Sequence, residues 1–403
     1  MKTVAIIGGG ASGIMAALTA AKDKDNRIIL FERQQRIGRK LLATGNGRCN
    51  LTNVGAAIKN YHGEQPEFAE NALGKFSPED CLEFFHELGL LTVTEYGGRV
   101  YPLSNSANSV LDVLRLALEK AGVELRCSCP VRELMRSGKG YQLTTDDEKI
   151  YADYVIVACG GAAGEKLGGV SDGYELLKPL GHKRTKLYPC LVQLICHGDY
   201  PKALKGVRAD GKVTLMSGDD IIAQGKGEIQ FTETGISGPA AFDISRAASQ
   251  TGEGATIYMD FLQDYSCASL EAMLLRRQEI HPQLEASELF TGMLHNRLGR
   301  MIVKYCGFSA VQPLKELSAE QLCKAARISK AFPLRLKGTE GFANAQVTAG
   351  GIKTTGFNPD TMESWFMPGL FVCGELLDVD GDCGGYNLQW AWASGNLAGR
   401  LGK

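Results

Sequence analysis

The sequence predicts a mixed α/β fold in which both ends of the chain build one parallel-sheet domain and the middle forms an insertion. Three observations predict it. A short apolar strand, a glycine turn and an Ala-rich helix open the chain. A further short strand, a Gly-acid pair and a helix close it. Between them, residues 191–260 carry short alternating strands and 266–330 read mostly as helices. The length of 403 residues exceeds the ~250–300 at which single cores stop growing, so more than one domain is expected. The predicted division is 1–190 with 341–403, then 191–265 with about 331–340 as a β-rich part, and 266–330 as a helical part.

The opening elements follow in order. Val4-Ala5-Ile6-Ile7 is a strand, and Gly8-Gly9-Gly10-Ala11-Ser12-Gly13 is G-x-G-x-x-G. Ile14 to Ala21 reads as helix, and Arg27 to Phe31 as a second strand ending in Glu32. Gly8 permits the tight turn, Gly10 lets backbone approach a pyrophosphate, and Gly13 lets the helix pack close to the sheet. The helix start, at Ala11 and Ser12, offers free N–H groups and a positive dipole end to phosphate. Glu32 stands where an acid grips ribose hydroxyls. The motif with its strand, helix and acid all in place predicts a dinucleotide site; a Gly-rich turn in an ordinary α/β unit is the competing reading.

The next passage, RIGRKLLATGNGRCNLTN from Arg36 to Asn53, holds Gly38, Gly45, Asn46, Gly47, Asn50 and Asn53, all suited to positive-φ turns. Arg36, Arg39, Lys40 and Arg48 add cations beside the expected pyrophosphate. Ser77-Pro78-Glu79-Asp80 starts a helix that stops at Gly89, and another runs from near Ser109 to Gly122. The loop between them, GGRVYPLSNSAN, either lines a site or connects helices. A strand over 123–127 and a hairpin over 141–152 lead to the apolar strand Tyr154 to Ala158. Cys159-Gly160-Gly161 follows it and again allows close backbone approach to a ligand.

Residues 374–395, GELLDVDGDCGGYNLQWAWASG, return the chain to the first domain. The N–H groups of Gly385, Tyr386, Asn387 and Leu388 open a helix whose dipole suits the charge a reduced flavin carries near its pyrimidine carbonyl. Asp378, Asp380 and Asp382 do not complete a calcium loop, because Gln389 stands where the closing Glu belongs, so no metal is expected.

Composition narrows the function classes. Glycine is 49 of 403 residues, roughly 12% against a usual ~7%, with no every-third period, which excludes collagen. Lys plus Arg is 44 and Asp plus Glu 45, so there is no overall electrostatic footprint for nucleic acid or an anionic membrane. No run reaches the ~18 apolar residues of a membrane span. With no C-x-x-C and no zinc spacing, most of the twelve Cys read as small buried residues in a reducing compartment, and the expected location is cytoplasmic.

The combination resembles two-dinucleotide-binding-domain flavoproteins of the glutathione-reductase type. More narrowly it is similar to the YhiN/BaiN-type, aminoacetone oxidase-like family. The segments that carry the likeness are GGGASGIMAA (8–17), GRKLLATGNGRCNLTN (38–53), GGRVYPLSNSA (97–107), ACGGAAGEKLGGVSDGY (158–174), FTETGISGPAAFDISR (231–246) and GELLDVDGDCGGYNLQWAWASG (374–395). The resemblance implies a Rossmann-like FAD domain from both chain ends, an inserted β-barrel-like unit and a small helical unit. It implies FAD held by Gly8, Gly10, Ser12 and Gly13 at the pyrophosphate and Glu32 at the ribose, with Arg33, Arg39 and Lys40 near it and the Val131 backbone at the adenine. Gly160, Gly374, Glu375, Asn387 and Leu388 follow the rest of the cofactor. Asn46, Gly47, Asn50, Cys159, Gly161 and Gly385 complete the expected cofactor set. Cys159 and Glu375 depart from the Thr and Asp common at those places.

For activity, the expectation is an FAD-dependent oxidoreductase in which NAD(P)H drives reduction of a conjugated C=C bond in a 3-oxo steroid, bile-acid-like or other enone substrate. An acid must protonate the neighbouring carbon, and Tyr386 and Tyr101 are the candidates. The alternatives are a flavin oxidase of a small amino compound and a non-catalytic flavin redox sensor, one version of which associates with RNA. A plain nicotinamide dehydrogenase is a further competitor. The expected partner is a small-molecule substrate, with no nucleic acid and no membrane; the sequence does not set the oligomeric state.

Overall fold

The computed structural model describes residues 1–403. It separates into two compact units, Met1–Tyr188 with Phe342–Lys403, and Pro189–Gly341.

The first unit is built on a five-stranded parallel sheet. Its order is Leu370–Val372, Tyr154–Val157, Lys2–Ile7, Asn26–Phe31, Glu124–Arg126. Val4 to Ile7 pair with Tyr154 to Val157 on one side and with Ile28 to Phe31 on the other. These are near-continuous apolar runs, as a sheet covered on both faces requires. Val4, Ile6, Val155, Ile156, Leu370 and Phe371 are fully buried.

Two helices cross on this sheet because glycines let them. The first, Ala11–Ala20, and the last, Tyr386–Gly399, approach so closely that a Cβ at Gly395 would enter the Ser12 carbonyl. At Gly399 a Cβ would lie 2.6 Å from the Ala16 carbonyl oxygen. The last helix is buried nearly all round, so its polar groups must be paired. Trp392 Nε1 donates to the Leu51 carbonyl at 3.0 Å, and Gln389 Nε2 to the Phe76 carbonyl at 2.7 Å.

The helix Pro78–Glu87 starts on the predicted reciprocal cap, with Ser77 and Asp80 each bonding the other's backbone N–H. The predicted hairpin is the outer part of a three-stranded antiparallel sheet that also takes in Glu133–Ser137, which the sequence reading missed. The 97–108 passage is not simply a loop. Arg99–Pro102 is the central strand of a small sheet between Thr92–Thr94 and Thr52–Asn53.

The second unit is a closed six-stranded barrel. Its strand order is Leu194–Cys196, Gly235–Ser237, Asp220–Phe231, Arg208–Ser217, Thr256–Asp260, Phe332–Thr339. The expected β segment also contains a helix, Pro239–Thr251. Gly238 followed by Pro239 is a readable start signal, since Pro suits the first helical position. The helices Cys267–Ile280, Asn296–Tyr305 and Ala319–Lys330 follow, the last on a Ser318–Gln321 capping box. Leu270, Phe290, Ile302 and Leu322 from the helical stretch share one buried cluster with Val213, Ile229 and Ile257 of the barrel.

Candidate active site

The glycine turn after the first strand separates three roles by sterics. Gly8 has φ 113°, and a Cβ there would strike the Ala158 carbonyl of the neighbouring strand. A Cβ at Gly13 would be driven into the Gly8 carbonyl, so Gly13 seats the helix on the turn. Gly10 is different: its φ is −84° and no protein atom lies within 4 Å of a Cβ placed there. Nothing inside the protein requires glycine at this position. A ligand that presses on the backbone does.

Glu32 closes the turn. Its Oε2 accepts the Gly9 N–H at 2.9 Å and its Oε1 the Gln34 N–H at 2.7 Å. Lone pairs on both oxygens stay open for hydroxyl donors. The first intrahelical bond runs from Ile14 N–H to the Gly10 carbonyl, so the N–H groups of Ala11, Ser12 and Gly13 point out of the helix start without a helical acceptor. Ser12 contributes only its backbone. Its side chain is 6% exposed and turned toward Cys373 and Gly374.

The expected cations do different things. Arg39 bonds Gln34 Oε1 and the Lys166 carbonyl, and Arg33 pairs with Asp172 at 3.0 Å. Lys40 pairs with Glu375 at 2.7 Å. Arg48 is committed to partners within the protein. It is held by Glu95 and Asn105, and its guanidinium stacks 3.9 Å above the Tyr101 ring. Asn46 and Gly47 have positive φ as expected, but Asn50 and Asn53 do not; Cys49, at φ 60°, takes that conformation because its N–H turns back to the Thr44 carbonyl. Asn50 and Asn53 are buried instead, within and beside the strand Thr52–Asn53.

Val131 is buried and its backbone makes no hydrogen bond within the protein. Gly160, at φ 72°, has open space where a Cβ would lie. Gly161 is a packing position, because a Cβ would fall 2.7 Å from Glu375 Oε1 and against Thr348. The Cys159 thiol sits 3.5 Å from the Ile7 carbonyl and burial pushes its pKa up to about 12, so it is no nucleophile at neutral pH.

The closing helix supplies a second open start. Gly374 is fixed from both sides, its N–H donating to Ser394 Oγ at 2.9 Å and its carbonyl accepting from Trp390 Nε1 at 3.1 Å. Asn387 spends its side chain inside the preceding loop, on Gly381 and Asp382. It therefore offers a ligand its backbone N–H, as does Leu388. Gly385, at φ 101°, passes between the Thr52 carbonyl and Asn50 Oδ1; a Cβ would sit 2.9 Å from the latter. Asn50 Oδ1 is buried and has no hydrogen-bond partner. A buried acceptor left unpaired beside an open helix start is the signature of a ligand donor that belongs there. No three His, Cys, Asp or Glu side chains gather as a metal site.

The residues thus fit an extended dinucleotide: open N–H groups and an open glycine for a diphosphate, an acid for a ribose, and an orphaned acceptor beside a second helix start for a polar ring. One domain carrying a diphosphate-type cradle and a separate ring-type cradle places the protein in the class of flavin-dependent oxidoreductases with a Rossmann-type domain. The chain belongs to the family described as HI0933-like protein Rossmann domain, which it matches over residues 2–401. It is 42% identical to the 3-dehydro-bile acid delta(4,6)-reductase of Clostridium scindens, over 99% of this chain and 98% of that protein. It is 29% identical to the ribosomal RNA dihydrouridine synthase of Escherichia coli, over 96% of this chain and 95% of that one. In fold it is similar to 3-ketosteroid delta1-dehydrogenase from Sterolibacterium denitrificans, with a TM-score of 0.50 at 12% identity over 99% of each chain.

Tyr101 and Tyr386, the two candidate acids, stand near this second helix start. Tyr101 is 7% exposed in the small sheet, and burial raises its pKa against the opposing pull of Arg99 and Arg48. Tyr386 packs edge-on against Tyr61, whose hydroxyl donates to the Tyr386 carbonyl at 3.1 Å. The sequence places Arg99 with Tyr101 in the passage that either lines a site or connects helices, but assigns it no role; it lies two residues before Tyr101 on the same face of its strand. The signal available was the alternation R-x-Y inside a passage that reads as a loop. No helix is long and apolar enough to cross a membrane.

Proposed function

We propose that the protein binds FAD and uses reducing equivalents from NAD(P)H to saturate a carbon–carbon double bond conjugated to a carbonyl, in a 3-oxo steroid or bile-acid-like substrate. One observation carries this reading: the likeness to a 3-dehydro-bile acid delta(4,6)-reductase runs end to end at 42% identity. The dihydrouridine synthase relatives point to the same reaction class. The uracil 5,6 double bond is also conjugated to a carbonyl, so both names describe hydride addition at the β-carbon of an enone-like system.

When bound, FAD supplies the hydride. The chain supplies the rest. The Ala11, Ser12 and Gly13 N–H groups would hold the pyrophosphate, with Gly10 leaving room for it, and Glu32 would hold the adenosine ribose. The Asn387 and Leu388 N–H groups, with Asn50 Oδ1, would hold the pyrimidine edge of the ring. Tyr101, with Tyr386 as the second candidate, donates the proton to the α-carbon. The substrate is a small molecule rather than RNA, in keeping with a net charge of −1, and the protein works in the cytoplasm.

The test is anaerobic. The flavin absorbance of purified protein is followed on mixing with NADH or NADPH, then with a 3-oxo-4,6-diene steroid. Bleaching by NAD(P)H and recovery with the dienone are expected. Bleaching only by small amines assigns an oxidase, and turnover only with uridine-containing ribosomal RNA assigns the nucleic-acid substrate. A protein that takes up no FAD and shows none of flavin's ~450 nm absorbance sinks the reading.

A further inference from the structure

Arg99 is half-buried and its guanidinium makes no hydrogen bond or ion pair. That is unusual beside its neighbours. Arg48, across the same small sheet, has its cation taken up by Glu95 and Asn105. Asn53, the register partner of Arg99, spends its side-chain N–H on the Gly97 and Gly384 carbonyls. Arg99 bonds none of these groups. Its direction is fixed all the same. A Cβ on Gly384 would meet Arg99 Nε at 3.4 Å and the Tyr386 ring at 3.3 Å. Gly384 immediately precedes Gly385, which borders the orphaned Asn50 Oδ1. An unspent guanidinium therefore reaches the open start of the closing helix, where the site lacks any other uncommitted cation among these residues. Partial burial makes such a cation costly unless an anion or a strong acceptor meets it.

We propose that Arg99 is the oxyanion-holding residue of this site and that its ligand is the conjugated carbonyl oxygen of the substrate. The second clause rests on the reductase reading above. Hydride, which bound reduced flavin would supply, brings two electrons to the β-carbon. The C=C pair shifts to form the α-carbon–carbonyl-carbon double bond, and the carbonyl pair moves onto oxygen. The enolate oxygen takes the negative charge beside Arg99. A proton then reaches the α-carbon, the carbonyl re-forms, and the substrate has gained one hydride and one proton. A fixed cation at the oxygen that becomes charged stabilises the transition state more than the neutral enone. The forked guanidinium accommodates the oxygen better than an ammonium does.

The test uses FAD-loaded wild type, Arg99→Gln and Arg99→Lys. Unfolding midpoints and flavin content come first, and Arg99→Gln is expected to match wild type because Arg99 holds no protein partner. 4-Nitrophenol, a neutral phenol that becomes an oxyanion, is then titrated into each across a pH series. Wild type is expected to favour the phenolate and lower the pKa of the bound phenol. Arg99→Gln is expected to bind phenolate about tenfold more weakly or worse and to leave that pKa near its free value, with Arg99→Lys between them. Reoxidation of the reduced proteins by a 4,6-dien-3-one steroid is expected to slow about a hundredfold in Arg99→Gln, chiefly in kcat. Equal phenolate affinity and equal bound pKa in wild type and Arg99→Gln overturn the proposal. A wild type that holds phenolate through Arg99 while no enone reoxidises it keeps the oxyanion site and overturns the enone reading alone.

Discussion

Lys40 Nζ lies 2.7 Å from Glu375 Oε2, an ion pair between residues 335 positions apart. Glu375 Oε1 meanwhile accepts the Thr348 N–H at 2.9 Å. The pair ties the short helix Arg39–Ala43 to the turn Gly374–Leu376 on the way to the closing helix. Both side chains are under a third exposed, so the pair is less screened than a surface bridge. Lys40→Met leaves Glu375 with a single donor in a half-buried place. It is expected to cost about 1–2 kcal/mol and lower the unfolding midpoint by a few degrees, read by circular dichroism. Glu375→Gln keeps an acceptor for Thr348 and is expected to cost less. A Lys40→Met protein that melts with wild type removes the pair from the account.

Gly10 and Gly13 predict opposite failures. A side chain at Gly10 meets open space, while one at Gly13 meets the Gly8 carbonyl. Gly10→Val is expected to fold with a near-wild-type melting curve and to carry little or no FAD. Gly13→Val is expected to lose stability itself, by several kcal/mol, through overpacking and turn distortion. Full flavin content in folded Gly10→Val contradicts the placement of the diphosphate.

Asn50 separates the apoprotein from the loaded protein. Its Oδ1 is buried without a partner, a cost of about 1–3 kcal/mol while no ligand donor is present. Asn50→Leu is close in size and removes that acceptor. The apoprotein is expected to melt at or above the wild-type temperature, while the FAD dissociation constant rises about tenfold. Fluorescence titration with FAD on both proteins checks this. An apoprotein destabilised by the change, with FAD affinity intact, would place Asn50 in a packing role instead.

His182 gives a pH dependence with a definite sign. It is 4% exposed, stacked 4.5 Å from the Phe357 ring, and its Nε2 lies 3.0 Å from Ser364 Oγ. Burial lowers its pKa from the usual 6.5 to about 4. The unfolded chain therefore binds this proton more readily than the folded one. The stability that follows is complete above about pH 6.5 and drains away as pH falls toward 4. His182→Phe keeps the stacking ring and removes the titration, so its stability is expected to vary less between pH 6.5 and 4, although it loses the Ser364 contact at neutral pH. Parallel urea titrations at pH 7, 6 and 5 read this, and equal slopes for the two proteins would discount His182.

The ends of the chain were legible in the sequence, and the middle of the site was not. G-x-G-x-x-G with Glu32, the Ser77–Asp80 cap and the small residues of the closing helix each act locally or through backbone sterics, which residue type reveals. Arg48, Arg99 and Tyr101 depend on pairings between Thr52–Asn53, Thr92–Thr94 and Arg99–Pro102, strands of two to four residues. Such strands have no periodicity to read. The cations after the glycine turn illustrate the same limit. Position beside the motif suggested one shared role, whereas folding commits Arg33, Lys40 and Arg48 to Asp172, Glu375 and Glu95 respectively. The orphaned oxygen of Asn50 is a property of the packed site and has no counterpart in sequence.

The two tyrosines are separable by the same contacts. Tyr386 has its ring packed edge-on to Tyr61, 6.3 Å between centroids, and its carbonyl holds the Tyr61 hydroxyl. Tyr101 carries the Arg48 guanidinium over its ring and shares a strand face with Arg99. Burial raises the Tyr101 pKa, the two arginines oppose that rise, and burial prevails. Its phenol therefore stays protonated through neutral pH and is lost as a donor only above its ordinary value of about 10. Tyr101→Phe is expected to lower kcat about 10²–10⁴-fold with the dienone and to abolish any alkaline limb above pH 10, while flavin reduction by NAD(P)H continues. Tyr386→Phe keeps the ring, and its expected loss is under tenfold. Stopped-flow measurement of the two half-reactions across pH decides between them: a larger loss in Tyr386→Phe than in Tyr101→Phe would move the acid to the helix start.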